Sequence, residues 1–133
     1  MAEKFDQRVL VVDDMALTRE MVRHIVLDLG FVHIVTATNG ATALKIIKEQ
    51  EIGLVICDWM MPEMNGLELL QAVRSEARFK KLPFLMLTAE AYRENIAEAA
   101  YAGVTEFVSK PFTADMLGQK VYSALGIAIK KKG

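Results

Sequence analysis

Val9-Leu10-Val11-Val12-Asp13-Asp14 and Leu54-Val55-Ile56-Cys57-Asp58 decide the fold of this chain. In each, four apolar residues run directly into aspartate. Such runs read as strands buried on both faces, the habit of a parallel sheet. Open α/β folds place their sites at the carboxyl ends of such strands. Carboxylates delivered there by neighbouring strands repel one another unless a cation or a proton resolves the conflict. The pattern therefore points to function as well as to fold.

Outward from these runs, the segments alternate. Strands are expected over Arg8 to Val12, Val32 to Ala37, Gly53 to Cys57, Pro83 to Leu87 and Thr105 to Val108. Helical patterns fill the gaps. Leu17, Met21, Ile25 and Leu29 recur every fourth residue, with Gly30 as a stop. Asn39 can cap a helix through Ala43, Leu44 and Ile47. Asn65 with Glu68 reads as a capping box ahead of Leu67, Leu70 and Val73. An alanine-rich stretch from Ala91 to Ala102 stops at Gly103, and Thr113 can cap a last helix using Met116, Leu117, Val121 and Leu125. Five strands alternating with five helices give an α/β, doubly wound sandwich with a five-stranded parallel sheet. Right-handed crossovers bring all carboxyl strand ends to one edge.

Length and composition narrow the class. A chain of 133 residues fits a single domain, 1-133, with no output domain after the last helix. Lys+Arg 16 against Asp+Glu 17 leaves no broad field for nucleic acid or a membrane surface. The basic run Lys130-Lys131-Lys132 reads as a solvated terminus. The single cysteine, Cys57, reads as a small core residue, and a reduced, cytoplasmic setting fits it. No signal-peptide stretch or run of transmembrane length is present in the sequence.

The strand ends assemble a chemistry. Strand 1 supplies Asp13 and Asp14, strand 3 Asp58, strand 4 Thr88, and strand 5 Ser109 and Lys110. Thr36 and Thr38, at the end of strand 2, are bland. Three carboxylates suit a hard, oxygen-seeking cation, with Mg²⁺ the expected one. His24 and His33 fall on a helix and a strand and read as surface or structural residues. No His/Cys cluster for zinc or copper accompanies them. Lys110 and the Thr88 hydroxyl can meet a phosphoryl group, and a carboxylate can accept one as an aspartyl phosphate. Asp58, on the middle strand, is the expected acceptor. Trp59 reads as a partly exposed wall of that site, the eight methionines mostly as core or site rim, and Tyr92 and Tyr101 as helix surface. No glycine-rich phosphate loop follows strand 1, where Asp13-Asp14-Met15-Ala16 stands.

Taken in order, Val11-Val12-Asp13-Asp14, Asp58-Trp59-Met60-Met61-Pro62-Glu63-Met64-Asn65-Gly66-Leu67-Glu68-Leu69-Leu70, Leu85-Met86-Leu87-Thr88-Ala89-Glu90, Glu94-Asn95-Ile96, Ala102-Gly103 and Lys110-Pro111-Phe112-Thr113 resemble the response-regulator receiver domain family, and its single-domain chemotaxis members most. The resemblance spans nearly the whole chain. It implies the flavodoxin-like strand order 2-1-3-4-5, which is taken from the family and not from the residues. It implies that Asp58 accepts a phosphoryl group from a sensor histidine kinase. Asp14, Asp58 and the Met60 backbone carbonyl would hold Mg²⁺, with Asp13 acting on it through water. Lys110 would pair with one phosphoryl oxygen and Thr88 with another, and Lys110-Pro111 would be cis.

The implied output is conformational. A ring on strand 5, here Phe107, turns inward on phosphorylation and reshapes a partner face of helix 4, strand 5 and helix 5. That face would include Ala91, Arg93, Ile96, Phe107, Phe112, Met116 and Lys120. The implied partners are the kinase, a phosphatase and a downstream protein such as the flagellar motor switch, with the chain itself a monomer. Two positions depart from the chemotaxis pattern: Phe107 replaces a tyrosine and Met60 an amide residue. A phosphorelay intermediate, or a regulator of another partner, is the second reading. An enzyme of a different class, a Mg²⁺-dependent phosphatase with an aspartate nucleophile, would usually carry a second Asp where Met60 stands.

Overall fold

The first strand in sequence lies inside the sheet, not at its edge. In the computed structural model, which describes residues 4–89 and 93–127, β1 (Phe5–Val12) lies between β2 (Phe31–Ala37) and β3 (Leu54–Asp58). Outside β3 come β4 (Phe84–Thr88) and then β5 (Glu106–Ser109), so the order is 2-1-3-4-5. Each neighbouring pair is parallel. The connecting helices are α1 (Ala16–Asp28), α2 (Gly40–Glu49), α3 (Gly66–Arg74), α4 (Arg93–Ala102) and α5 (Ala114–Leu125), with a short 3₁₀ turn at Ala77–Phe79.

Alternation along the strands divides the core in two. Leu10, Val12, Val55, Cys57, Phe84 and Met86 point to one face and pack with Ala43 and Ile47 of α2, Leu69, Leu70 and Val73 of α3, and Ala99 of α4. Val9, Val11, Leu54, Ile56, Leu85 and Leu87 point to the other and meet Val22 and Val26 of α1 and Leu117 and Val121 of α5. Successive residues of a strand face opposite sides, so a strand covered by helices on both sides must be apolar throughout. That is why the runs showed no polar alternation.

The expected caps form. Asn39 Oδ1 accepts from the Thr42 amide at 2.8 Å, and Thr113 Oγ1 from Met116 at 3.1 Å. Asn65 and Glu68 bond reciprocally, at 2.9 and 3.1 Å, in a complete capping box. Each satisfies an amide that the first helical turn leaves without a partner. The Lys110-Pro111 peptide is cis, as the resemblance implied.

Two expectations need correction. β3, β4 and β5 run one residue past their last expected positions, to Asp58, Thr88 and Ser109. The ladder continues there: Asp58 pairs with Leu87, and Thr88 with Ser109. Backbone pairing is indifferent to side-chain polarity, so an apolar count ends strands early. The α1 stripe was also misplaced. Leu17 is 82% and Met21 46% exposed, while Val22 and Val26 are buried. At 3.6 residues per turn, a strict four-residue repeat drifts by about 40° per step and leaves the buried face. Finally, the segment at Ala91 and Tyr92 and the basic run Lys130-Lys131-Lys132 lie outside the described residues.

Glu63 alone among the described non-glycine residues has positive φ, at 68°. Left-handed backbone crowds a β-carbon against the following carbonyl, and Asn tolerates it better than Glu. Glu63→Asn is expected to stabilise the protein by about 0.5–1 kcal/mol, read as a higher urea midpoint. An unchanged or lower midpoint would count against strain at this loop position.

Candidate functional site

The register of β1, β3 and β4 builds the site. Val12 pairs with Cys57, so the residues that follow, Asp13 and Asp58, leave adjacent strands side by side. One carboxylate oxygen from each of Asp13, Asp14 and Asp58 lies within 4.8 Å of the others. Asp13 and Asp58 are buried, and Asp14 is exposed. Thr88, buried at the end of β4, and Lys110, just past β5, complete the edge. The Lys110 amide donates to the Thr88 carbonyl at 2.7 Å, tying the two strand ends together.

Lys110 is the local counter-charge. Its Nζ donates to Asp58 Oδ1 at 2.9 Å and stands 3.8 Å from Asp13 Oδ2. Asp13 Oδ1 accepts from the Met15 amide at 2.9 Å, next to the start of α1. Asp13 Oδ2 is buried and accepts no hydrogen bond among the described residues. An orphaned buried carboxylate oxygen is costly, and it is the atom a bound cation would satisfy. An all-oxygen donor set of this charge fits a hard divalent ion.

The electrostatics agree. Burial holds the Asp58 carboxyl above the usual carboxylate range, partly offset by the hydrogen bond and charge of Lys110. Burial also raises Asp13, against the Met15 hydrogen bond, and the charge of Asp58 raises it further. One ammonium is thus shared by more negative charge than it balances.

The structure gathers Asp13, Asp14, Asp58, Thr88 and Lys110, as the strand ends implied, and Met60, two residues past Asp58, is 58% exposed. His24 and His33 are exposed and apart from the acidic cluster. Cys57 is buried, and burial pushes its thiol well up, so it is an inert core residue. Trp59 corrects the expectation of a partly exposed wall: it is only 7% exposed and belongs to the core cluster. Its ring meets that of half-buried Phe107 edge-on, with centroids 6.3 Å apart and planes at 70°. Met61 and Met86 belong to the core, Met64 packs against it, and Met15, Met21, Met60 and Met116 are exposed.

Three features were missed. Arg19, on α1, donates to the Asp13 carbonyl at 2.9 Å and fixes the strand-to-helix turn. The Trp59–Phe107 contact links the residue after Asp58 to β5. A groove of about 410 Å³ beside Lys110 is lined by Thr18, Met21, Ala89, Pro111 and Phe112. Pairwise contacts between distant segments leave no mark in local periodicity, so no sequence signal would have found these.

This geometry has known counterparts. Residues 9–122 match the family described as response regulator receiver domain. The chemotaxis protein CheY of Pseudomonas aeruginosa is 45% identical over 114 residues, 86% of this chain and 92% of that protein. CheY-3 of Vibrio cholerae is 44% identical over 116 residues, 87% and 89% of the two chains. The crystal structure of Vibrio cholerae CheY4 superposes with a TM-score of 0.85 at 35% identity, covering 91% of this chain and all of that one (100%). The chain belongs to the response-regulator receiver domain family, and within it is CheY-like. No helix among the described residues is long and apolar enough to cross a membrane.

The raised carboxyls carry a prediction for the metal-free protein. A folded-state pKa above the unfolded value means that the folded form binds the extra proton. Stability then falls as pH rises from about 4 through the raised folded values and stays lowered above them. In EDTA at pH 7, Asp13→Asn is therefore expected to raise the melting temperature by roughly 2–6 °C, the shift that about 1 kcal/mol gives a domain of this size. At pH 3.5 the gain should shrink towards zero. An equal gain at both pH values would show that charge is not its source.

Proposed function

We propose that this protein is a phosphorylation-controlled switch whose acceptor is Asp58. The observation that carries this reading is the Lys110 Nζ–Asp58 Oδ1 contact of 2.9 Å beside the unsatisfied Asp13 Oδ2. A carboxylate nucleophile, a fixed cation and an acidic cluster whose charge one ammonium does not balance are the parts that phosphoryl transfer to aspartate needs. The Asp58 oxygen attacks phosphorus of a histidine kinase's phosphohistidine; the O–P bond forms as the N–P bond breaks.

Asp14, Asp58 and the Met60 backbone carbonyl would hold Mg²⁺, with Asp13 acting through water. The ion would neutralise charge on the phosphoryl oxygens. Lys110 offsets the remaining negative charge, first on the Asp58 carboxylate and then on a phosphoryl oxygen. Thr88, buried at the same edge, offers its hydroxyl to another. The protein performs no turnover on a separate substrate in this reading.

The output is a population shift at the face of α4, β5 and α5. Phe107 is half-buried and touches Trp59, the residue after the acceptor, so a change at Asp58 has a short route to β5. Ile96 and Met116 are exposed on that face at 44% and 48%. Lys120 pairs with Glu106 at 3.3 Å and would be a rim charge. Phe112 is half-buried, packs with the α1–α5 cluster and lines the groove with Thr18 and Met21, Arg93 opens α4, and Ala91 lies outside the described residues. The likeness to chemotaxis proteins supports a role in flagellar control, with the motor switch as target and a phosphatase as a further partner. A monomeric, cytoplasmic protein is part of the same proposal.

Labelling with acetyl phosphate tests the acceptor. Stoichiometric, base-labile phosphorylation is expected, abolished by Asp58→Asn and by EDTA, and slowed by roughly 10²–10³-fold in Lys110→Ala. Labelling that persists in Asp58→Asn would place the acceptor elsewhere, and multiple turnover of a small phosphate ester would favour the phosphatase class. Met60 bears on the lifetime of the phosphorylated state. Its thioether cannot orient an attacking water as an amide does, so Met60→Asn is expected to change the dephosphorylation rate several-fold. Equal rates would remove Met60 from the kinetics.

A further inference from the structure

Two glycines press against the acceptor loop, one at each end. Gly66 opens α3, and its amide donates to the Trp59 carbonyl at 2.8 Å. A β-carbon there would lie 2.5 Å from the Asp58 carbonyl oxygen, 2.8 Å from Met86 Sδ and 3.0 Å from Trp59 Cα. Gly40 opens α2, where a β-carbon would lie 2.6 Å from the Met64 carbonyl oxygen and 2.8 Å from its Cγ. Both glycines are buried, and neither has positive φ. They are required for space rather than for conformational freedom. At each, the nearest obstacle is backbone, which cannot rotate aside like the end of a long side chain.

The segment they bracket, 59–65, follows Asp58 and carries the Met60 carbonyl. We infer that Gly66 and Gly40 are positioning residues for the acidic site. By letting α3 and α2 close onto the backbone at both ends of the loop, they hold the Asp58 carboxylate and the Met60 carbonyl in place against Asp13 and Lys110. This rests on the proposed Mg²⁺ reading of that site. Relieving the clash at Gly66 to 3.0 Å needs a backbone shift of about 0.5 Å. Ligand constellations tolerate displacements of only about 0.5 Å, so the site should respond before the fold does.

Alanine at each position, with a Mg²⁺ titration followed by backbone amide chemical shifts, tests this. The same spectra report whether the chain is folded. Gly66→Ala should raise the Mg²⁺ dissociation constant by roughly tenfold or more, in the range seen when supporting residues of metal sites are lost. Gly40→Ala should raise it by roughly threefold. Alanine is the better helix former, so a loss of affinity there is not a loss of α2. Gly126→Ala is the control. Gly126 caps α5 with φ of 68° and, among the described residues, has nothing within 4 Å of its would-be β-carbon. It should lower thermal stability and leave Mg²⁺ affinity unchanged.

Folded Gly66→Ala and Gly40→Ala proteins that bind Mg²⁺ within about twofold of wild type would overturn the inference, as would an equal loss in Gly126→Ala. Should Gly66→Ala fail to fold, Gly40→Ala decides by the same comparison. A wild-type chain that binds no Mg²⁺ would overturn the metal reading and this inference with it, whereas tight wild-type binding with unaltered variants overturns this inference alone.

Discussion

Asp13 and Asp58 are buried side by side at one edge of the sheet, with Lys110 as their shared cation. Burial disfavours charge on each carboxylate, and each disfavours charge on the other. A lone ammonium 2.9 Å from one and 3.8 Å from the other relieves only part of this. The edge is therefore left electrostatically unfinished, and it is held so by the most apolar part of the molecule. Five parallel strands, covered on both faces, cannot shift register to separate the carboxylates without exposing core side chains. Stability in the core maintains tension at the rim.

The same arrangement explains how a small chemical event can be felt at a distance. Asp58 ends β3, Trp59 follows it into the core, and the Trp59 ring contacts Phe107 on β5. Lys110 sits beside β5 and bonds through its amide to the end of β4. Under the proposed function, charge added at Asp58 would act on groups already connected to the α4–β5–α5 face. Phe107, lacking a hydroxyl, can stay half-buried without leaving a polar group unpaired.

Much of the element order was legible locally. Asn39, Asn65 with Glu68, and Thr113 marked helix starts that the structure reproduces bond by bond. Capping is a contact between residues three apart, so a short window contains all of it. Strand ends were read one residue short at Asp58, Thr88 and Ser109, because polarity rather than pairing was being counted. The α1 face was misread at Leu17 and Met21, since a helix rotates a strict four-residue repeat away from the core. Trp59 was placed too near the surface because nothing beside it in sequence shows that Phe107 lies against its ring.

The sequence by itself determined the alternation of strands and helices, the double burial of the strands and the acidic residues at their ends. These follow from side-chain polarity and backbone periodicity, which act over a few residues. Only the tertiary structure decided that Asp58 meets a lysine 52 residues away, that one oxygen of Asp13 has no hydrogen-bond donor among the described residues, and that α2 and α3 close on the loop after Asp58 to within the width of a β-carbon. Those facts depend on register and helix packing, which bring distant segments to sub-ångström tolerances and which no local pattern encodes.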